Sequence, residues 1–228
     1  MTFSFRALAM GALALGLSAC ASDTDTAEPL EGATEVVEAT AEIPAGTYAL
    51  DAAHSSLGFS IRHLGVSNVD GSFPEFTGTI TVPEQGLGGM SAMVSAQVAS
   101  ISTGNGDRDG HLQSPDFFDA ATYPEITFNT TSVTPTGGNS FEMTGDLTMH
   151  GVTKSVTLQG EYIGAAMMGE TQKIGFEAEG EIDRKDWGLT WAQTNEVGEA
   201  LVGDTVTLRI NAEADMQSGE AATAEVDA

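Results

Sequence analysis

Between residues 46 and 215 the apolar residues recur at every second position, in one run after another. Leu57, Phe59 and Ile61 alternate with Gly58, Ser60 and Arg62. Met90, Ala92, Val94, Ala96 and Val98 mark one face of a longer run, and Phe141, Met143, Leu147 and Met149 alternate with Glu142, Thr144, Asp146 and Thr148. Ile174, Phe176, Ala178 and Ile182 oppose Lys173, Glu177, Glu179 and Glu181; Val206, Leu208, Ile210, Ala212 and Ala214 oppose Thr207, Arg209, Asn211 and Glu213. A strand points successive side chains to opposite faces, so each run has one apolar and one wet face. Further strands are expected over Thr47–Asp51, Ser56–Leu64 and Phe73–Val82, at Ile126 and Phe128, and from Val152 to Tyr162 after a turn at His150–Gly151. That makes about eight strands or a little more, antiparallel by their short, glycine-containing connections. A sheet with one apolar face has to fold over on itself, and closing into a barrel removes its exposed edges. The expectation is an all-β chain: an extended antiparallel β-barrel of about eight strands with a short helical insertion. At that size the interior is either filled by side chains or holds one small ligand, and the alternation alone leaves both open.

One stretch breaks the period. Ser102–Phe128, STGNGDRDGHLQSPDFFDAATYPEITF, gathers Asp107, Arg108, Asp109 and His111 and then the pair Phe117 and Phe118. Gly104, Gly106 and Gly110 disfavour a long helix. Ser114–Pro115 fits an N-cap followed by proline at the first helical position. Two short helical turns crossing the sheet are expected, as a lid or mouth over an apolar interior.

The ends differ from the middle. Met1–Ala19 has one positive charge, Arg6, then the apolar run Ala7–Leu17, which has the length of a signal-peptide core and is too short to span a bilayer. It ends in Leu17-Ser18-Ala19-Cys20, which resembles the lipobox of bacterial lipoproteins, in which the cysteine is acylated. The plainer alternative is an ordinary secretory signal cut near Ala19. Cys20 is the only cysteine, so no intramolecular disulfide forms. The resemblance implies residues 1–19 as signal peptide, a lipid anchor at Cys20, and a location on the periplasmic side of a membrane, the outer one in a Gram-negative host. Residues 20–45 read as an acidic flexible tether, 46–215 as the barrel and 216–228 as a disordered acidic tail. With 33 acidic against 8 basic residues the formal charge is −25, which repels a nucleic-acid backbone. The acids are widely spread, so solvation accounts for them as well.

Four segments resemble the YceI-like family of bacterial lipid- or polyisoprenoid-binding proteins: Leu50–Phe73 (LDAAHSSLGFSIRHLGVSNVDGSF), Ser102–Phe128, Gly145–Val156 (GDLTMHGVTKSV), and Ile182–Leu189 (IDRKDWGL) followed by Val202–Ile210 (VGDTVTLRI). The resemblance implies a lipocalin-like barrel with a helical insertion and a long apolar pore that holds an isoprenoid chain or a similar amphiphilic lipid, quinone-like ligands included. It implies no other cofactor, and a homodimer is among its expectations because family members can form dimers. Each buried methylene contributes about 0.8 kcal/mol, so such a ligand binds without many polar contacts. The strand faces then nominate the pore lining: Phe59, Ile61, Val94, Val98, Phe128, Met143, Leu147, Leu158 and Phe176, with Phe117 and Phe118 from the insertion.

The polar residues admit two readings each. Arg108 meets a lipid head group or pins the insertion to the barrel through a carboxylate, the second being preferred; His111 and Trp187 are further candidates for the mouth, and Trp187 and Trp191 equally suit plain packing. Met90, Met93, Met143 and Met149 suit a core or an adaptable lipid pocket. His54, His63, His111 and His150 lack the H-x-x-x-H or H-x-H spacing of a preformed metal site, so no metal is expected and backbone-bonded turn roles are preferred. There is no G-x-S-x-G elbow. A binding protein rather than an enzyme is therefore expected. Two rivals remain: a lipid-modifying enzyme using His111 with Asp109, and a ligand-free structural or stress-response envelope protein with a filled barrel.

Overall fold

A computed structural model describes residues 42–198 and 200–217. The signal peptide, Cys20, nearly all of the tether and nearly all of the acidic tail lie outside the described residues. Ten strands form one sheet: β1 (Gly46–Leu50), β2 (Ser56–His63), β3 (Ser67–Ser72), β4 (Phe76–Val82), β5 (Ser91–Gln97), β6 (Glu125–Gly137), β7 (Ser140–Met149), β8 (Val152–Met168), β9 (Thr171–Asp183) and β10 (Val202–Met216). Their order is β1-β4-β5-β6-β7-β8-β9-β10, and β10 pairs back to β1, which closes an eight-stranded antiparallel barrel. The other two strands make a hairpin on the same edge of β10. Ala214–Met216 of β10 pairs with β1, while Val202–Asn211 pairs with β2, which carries β3. The barrel is thus shut as a ring at one end and continued by the β2–β3 hairpin toward the other. The all-β barrel with a short helix is as expected.

β3 was not expected. Its sequence SNVDGS has Val69 as its one apolar residue, so its pairing with β2 is carried by the backbone and not by a hydrophobic face. The expected strand over Phe73–Val82 begins only at Phe76, because Ser72–Phe73 turns away to meet Ser102 and Leu57.

The insertion between β5 and β6 contains α1 (Gly106–Gln113), an eight-residue helix that runs through both Gly106 and Gly110. Asn105 caps it, its side-chain oxygen accepting from the Arg108 N–H at 3.0 Å. Asp107 and Asp109 lie in its first turn and His111 in its last, each on the side the helix dipole favours. Ser114 ends this helix: its hydroxyl donates to the His111 carbonyl at 2.7 Å. The same oxygen accepts from the Asp116 N–H at 3.3 Å, so the cap expected there serves only the short turn that follows.

The closed end is packed solid. Tyr48, Val82, Tyr162, Ile174 and Ala214 are essentially inaccessible, and the Tyr48 phenol donates to the Pro44 carbonyl at 2.7 Å. Burial pushes both tyrosine hydroxyls up in pKa. A second cluster, with Leu147, Val156, Leu158, Ile182, Trp187 and Leu189, lies along the wall toward the other end. Met93, expected to pack inward, is 59% exposed, because its parity on β5 is opposite to that of Val94.

Candidate functional site

The barrel encloses a cavity of about 450 Å³. Its floor is the closed-end cluster, from which Ile80, Met90, Phe141, Met143 and Phe176 also face the void. Its wall is the inward face of β2, β5, β6, β7, β8, β9 and β10. Its far end is covered by the insertion and by the segment after β9, which contributes Leu189 and Trp191.

Of the residues nominated from the strand faces, Phe59, Ile61, Val94, Phe128, Met143, Leu147, Leu158 and Phe176 border the cavity, as do Phe117 and Phe118 of the insertion. Val98 does not. β5 ends at Gln97 and Val98 opens a 3₁₀ turn, so the alternation no longer decides its direction; the residue is 1% exposed and its N–H donates to the Pro124 carbonyl at 2.8 Å. Trp187 does not border the cavity either. It is 2% exposed, packed in the cluster with Leu147, Val156 and Ile182, its indole N–H donating to the Leu147 carbonyl at 3.1 Å. The indole that borders the cavity belongs to Trp191. The inward face of β10 is a large part of the wall beyond those residues: Val206, Leu208, Ile210 and Ala212, an apolar strand face in the sequence, all border the cavity.

Space for the rings comes from glycines. Phe59 lies over Gly71, Phe128 over Gly145 and Phe141 over Gly160, and in each case an added Cβ would collide with the ring. Phe59–Gly71 and Phe141–Gly160 are directly opposed cross-strand pairs.

Cationic and polar side chains gather at the mouth end: Arg62 and His63 at the end of β2, Thr103, Arg108 and His111 in the insertion, and Arg184 after β9. Two of them are structural. Arg108 donates through Nε to the Thr103 hydroxyl at 2.7 Å and through Nη2 to the Thr103 carbonyl at 2.8 Å; the Thr103 hydroxyl in turn donates to Asp109. The carboxylate partner expected of Arg108 is thus replaced by Thr103, and the bonds tie the insertion's own start to its helix rather than to a barrel strand. Arg184 is 4% exposed. Its fork donates to the carbonyls of Gly203, Leu189 and Trp191 and to Asp204. Asp204 is held below the usual carboxylate range, first by the hydrogen bond from Lys185 and also by Arg184.

His111 contacts Asp116 at 3.0 Å, and Asp109 accepts from the Thr103 N–H and hydroxyl. The His111–Asp109 pairing on which an enzyme reading rested is not formed. His150 takes the turn role expected of it. With Gly151 it makes the two-residue β7–β8 turn, both at positive φ, and it bonds the Trp187 carbonyl at 3.0 Å.

His54 lies at the other end of β2. Its Nδ1 is 2.7 Å from Asp51 and 3.9 Å from Glu213. These three could frame a cation, but Lys173 already places its ammonium 2.8 Å from Glu213, 2.5 Å from Asp215 and 3.5 Å from Asp51. The hydrogen bond to Asp51 raises the His54 pKa above 6.5, and the bond from His54 lowers that of Asp51 below 3.8. A raised histidine contributes stability that is complete below its unfolded pKa and lost as pH rises through its folded one. A lowered carboxylate contributes stability present above its unfolded pKa and lost in acid. Stability is therefore expected to fall as pH rises from the ordinary histidine pKa through the raised pKa of His54. Urea midpoints across that range should show the decline in the wild type and a flatter profile in His54→Gln; parallel profiles would show that His54 does not set it.

The profile of the YceI-like domain matches residues 48–214. Protein YceI of Escherichia coli O157:H7 is 41% identical over 140 residues, 60% of this chain and 71% of that protein. The crystal structure of a Campylobacter jejuni YCEI protein, 35% identical, superposes with a TM-score of 0.60 over 74% of this chain and 97% of that one. A polyisoprenoid binding domain from Saccharophagus degradans superposes with a TM-score of 0.57 over 75% of this chain and 98% of that domain; at 19% identity this likeness speaks for the fold alone.

Proposed function

Since the chain belongs to the YceI-like domain family, we propose that it is a binding or carrier protein for a long-chain isoprenoid or similar amphiphilic lipid. The observation that carries the proposal is the cavity: about 450 Å³, walled almost entirely by apolar side chains of the strands, and floored by a packed cluster. A chain inserted there gains about 0.8 kcal/mol per methylene with no need of directional partners. The polar groups stand at one end only, so the ligand is an amphiphile with its tail toward Phe141 and Met143 and its head near Arg62, Arg108 and His111. A binding role calls for no catalytic group.

The proposal extends to location. The lipobox-like run Leu17–Cys20 supports a position on the periplasmic side, with the protein held to a membrane through an acylated Cys20. Cys20→Ser should move it from the membrane to the soluble fraction; unchanged fractionation would remove the anchor.

The first test is to purify the protein from its host without detergent and to identify bound lipid by native mass spectrometry and organic extraction. A stoichiometric isoprenoid or quinone is expected. A clean apo mass that stays unchanged after incubation with quinones and polyprenyl phosphates would favour a barrel without a ligand. Phe128→Asp places a charge midway along the tube, and burying an unpaired carboxylate against a hydrocarbon chain is costly. Lipid retention should fall at least about tenfold while the circular dichroism of the barrel is kept. Full retention by a folded variant would take Phe128 off the ligand path.

A further inference from the structure

Two segments outside the barrel wall meet over the mouth, and each is fastened at its base. The insertion is held by the Arg108–Thr103–Asp109 bonds, by the Ser72–Ser102 backbone pair and by Gln113 donating to the Ala99 carbonyl at 3.0 Å. The chain after β9 is held by Arg184, which takes the carbonyls of both Leu189 and Trp191. His150 secures the residue before Gly188, whose φ of 78° lets the chain turn there. Both backbones are therefore fixed close to the mouth. Between them stand three rings. Phe117 and Trp191 lie 5.0 Å apart between centroids, His111 and Trp191 5.5 Å, and His111 and Phe117 5.0 Å. All three border the cavity.

We infer that this three-ring seam is the gate through which the ligand passes, and that Trp191 is its moving part. The inference rests on the carrier reading above. The barrel wall is sealed by backbone hydrogen bonds along every strand pair of the ring, so parting it would break several at once. Ring contacts are individually weak, and a side chain on a fixed backbone opens by rotation alone. With its carbonyl held by Arg184, Trp191 keeps its position in the chain while its indole swings off Phe117 and His111. A long tail then enters lengthwise from the polar end, and the head group comes to rest beside the rings that close behind it. Gating residues of this kind set exchange rates more than affinity, because they act on entry and exit alike.

Exchange kinetics of the full-length protein with a fluorescent polyene fatty acid, cis-parinaric acid, test the gate. Removing the indole breaks both of its ring contacts at once, the edge-on one with His111 and the tilted one with Phe117, which corresponds to roughly tenfold in rate. Trp191→Ala should speed both uptake and release by about that factor, each rate changing by more than the Kd, while Trp191→Phe keeps a ring in the seam and stays near wild type. A Kd that weakens with uptake unchanged would make Trp191 a wall contact only and overturn the gate. A readout without ligand separates the gate from the carrier reading. Trp187 is buried, so acrylamide quenching reports Trp191, and Phe117→Ala should increase it clearly. Unchanged quenching would show that Phe117 does not hold the indole and would refute the gate even if lipid binds. A wild type that takes up no lipid, with the quenching increase still seen in Phe117→Ala, would defeat the carrier and leave the ring closure standing.

Discussion

Arg184→Met should cost about 3–5 kcal/mol of stability, the range found when a buried ionic network loses one partner. The reason lies in what the guanidinium joins. Its donors reach three backbone carbonyls and one carboxylate, drawn from the segment after β9 and from the start of β10. Methionine fills a similar volume but supplies no donor, so Leu189, Trp191 and Gly203 lose the donor to their carbonyls, the bond to Leu189 being buried and the other two part-buried. Arg184→Lys should recover little. An ammonium keeps the charge but cannot direct a planar fork at carbonyls on both sides of the loop. Urea denaturation of the three proteins checks the ranking, and a lysine variant near wild-type stability would show that charge alone suffices. The Trp191 carbonyl is one of the orphaned groups, so the methionine variant should also lose ordered placement of that indole. Near-ultraviolet circular dichroism reads this directly.

What the sequence discloses and what it hides follow one rule: the period of a strand is local, and its neighbours are not. The inward positions on β2, β5, β6, β7, β8 and β9 could be read off by alternation, because Phe59, Val94, Phe128, Met143, Leu158 and Phe176 obey a spacing that involves only their own strand. The His150–Gly151 turn was legible for the same reason. Val98 fell outside because the strand stops one residue before it, and a stop of that kind leaves no mark in hydrophobicity. β3 was invisible because one valine in six residues makes no pattern and its partner strand supplies the order. Arg184 sat in a recognised motif, IDRKDWGL, yet nothing in that motif says that the carbonyls it serves come from residues 189, 191 and 203. The exchange of roles between Trp187 and Trp191 is of the same type: the two indoles lie four residues apart, with the αL turn at Gly188 between them, and Trp187 joins the packed cluster while Trp191 reaches the cavity. The glycines mislead in an instructive way. Read along the chain they suggest turns, but Gly71, Gly145 and Gly160 lie within strands, placed by register beneath phenylalanines.

Gly160→Val puts that last point to a test in which two principles disagree on the sign. Local preference favours valine in a strand by up to about 1 kcal/mol, so propensity alone forecasts a more stable protein. Packing forecasts the opposite. Gly160 is opposed to Phe141, whose ring lies where even a Cβ would be and is itself 2% exposed. Overpacking costs about 1–3 kcal/mol, and a phenylalanine driven out of its site forfeits a further share of the roughly 1.5–3 kcal/mol its burial supplies. Packing therefore wins, and a net loss of about 2–4 kcal/mol is expected in urea denaturation. The double-mutant cycle with Phe141→Ala identifies the cause. In that background the space above residue 160 is open, so Gly160→Val should become neutral or stabilising, a coupling of at least about 2 kcal/mol. Additive losses would mean that the valine acts through the backbone and not through the ring. The same substitution reaches the proposed function, because Phe141 belongs both to the closed-end cluster and to the cavity lining. A ring displaced upward shortens the tube from its floor. Long-chain ligands should then lose affinity more than short ones in Gly160→Val, whereas a change at the mouth would weaken both alike.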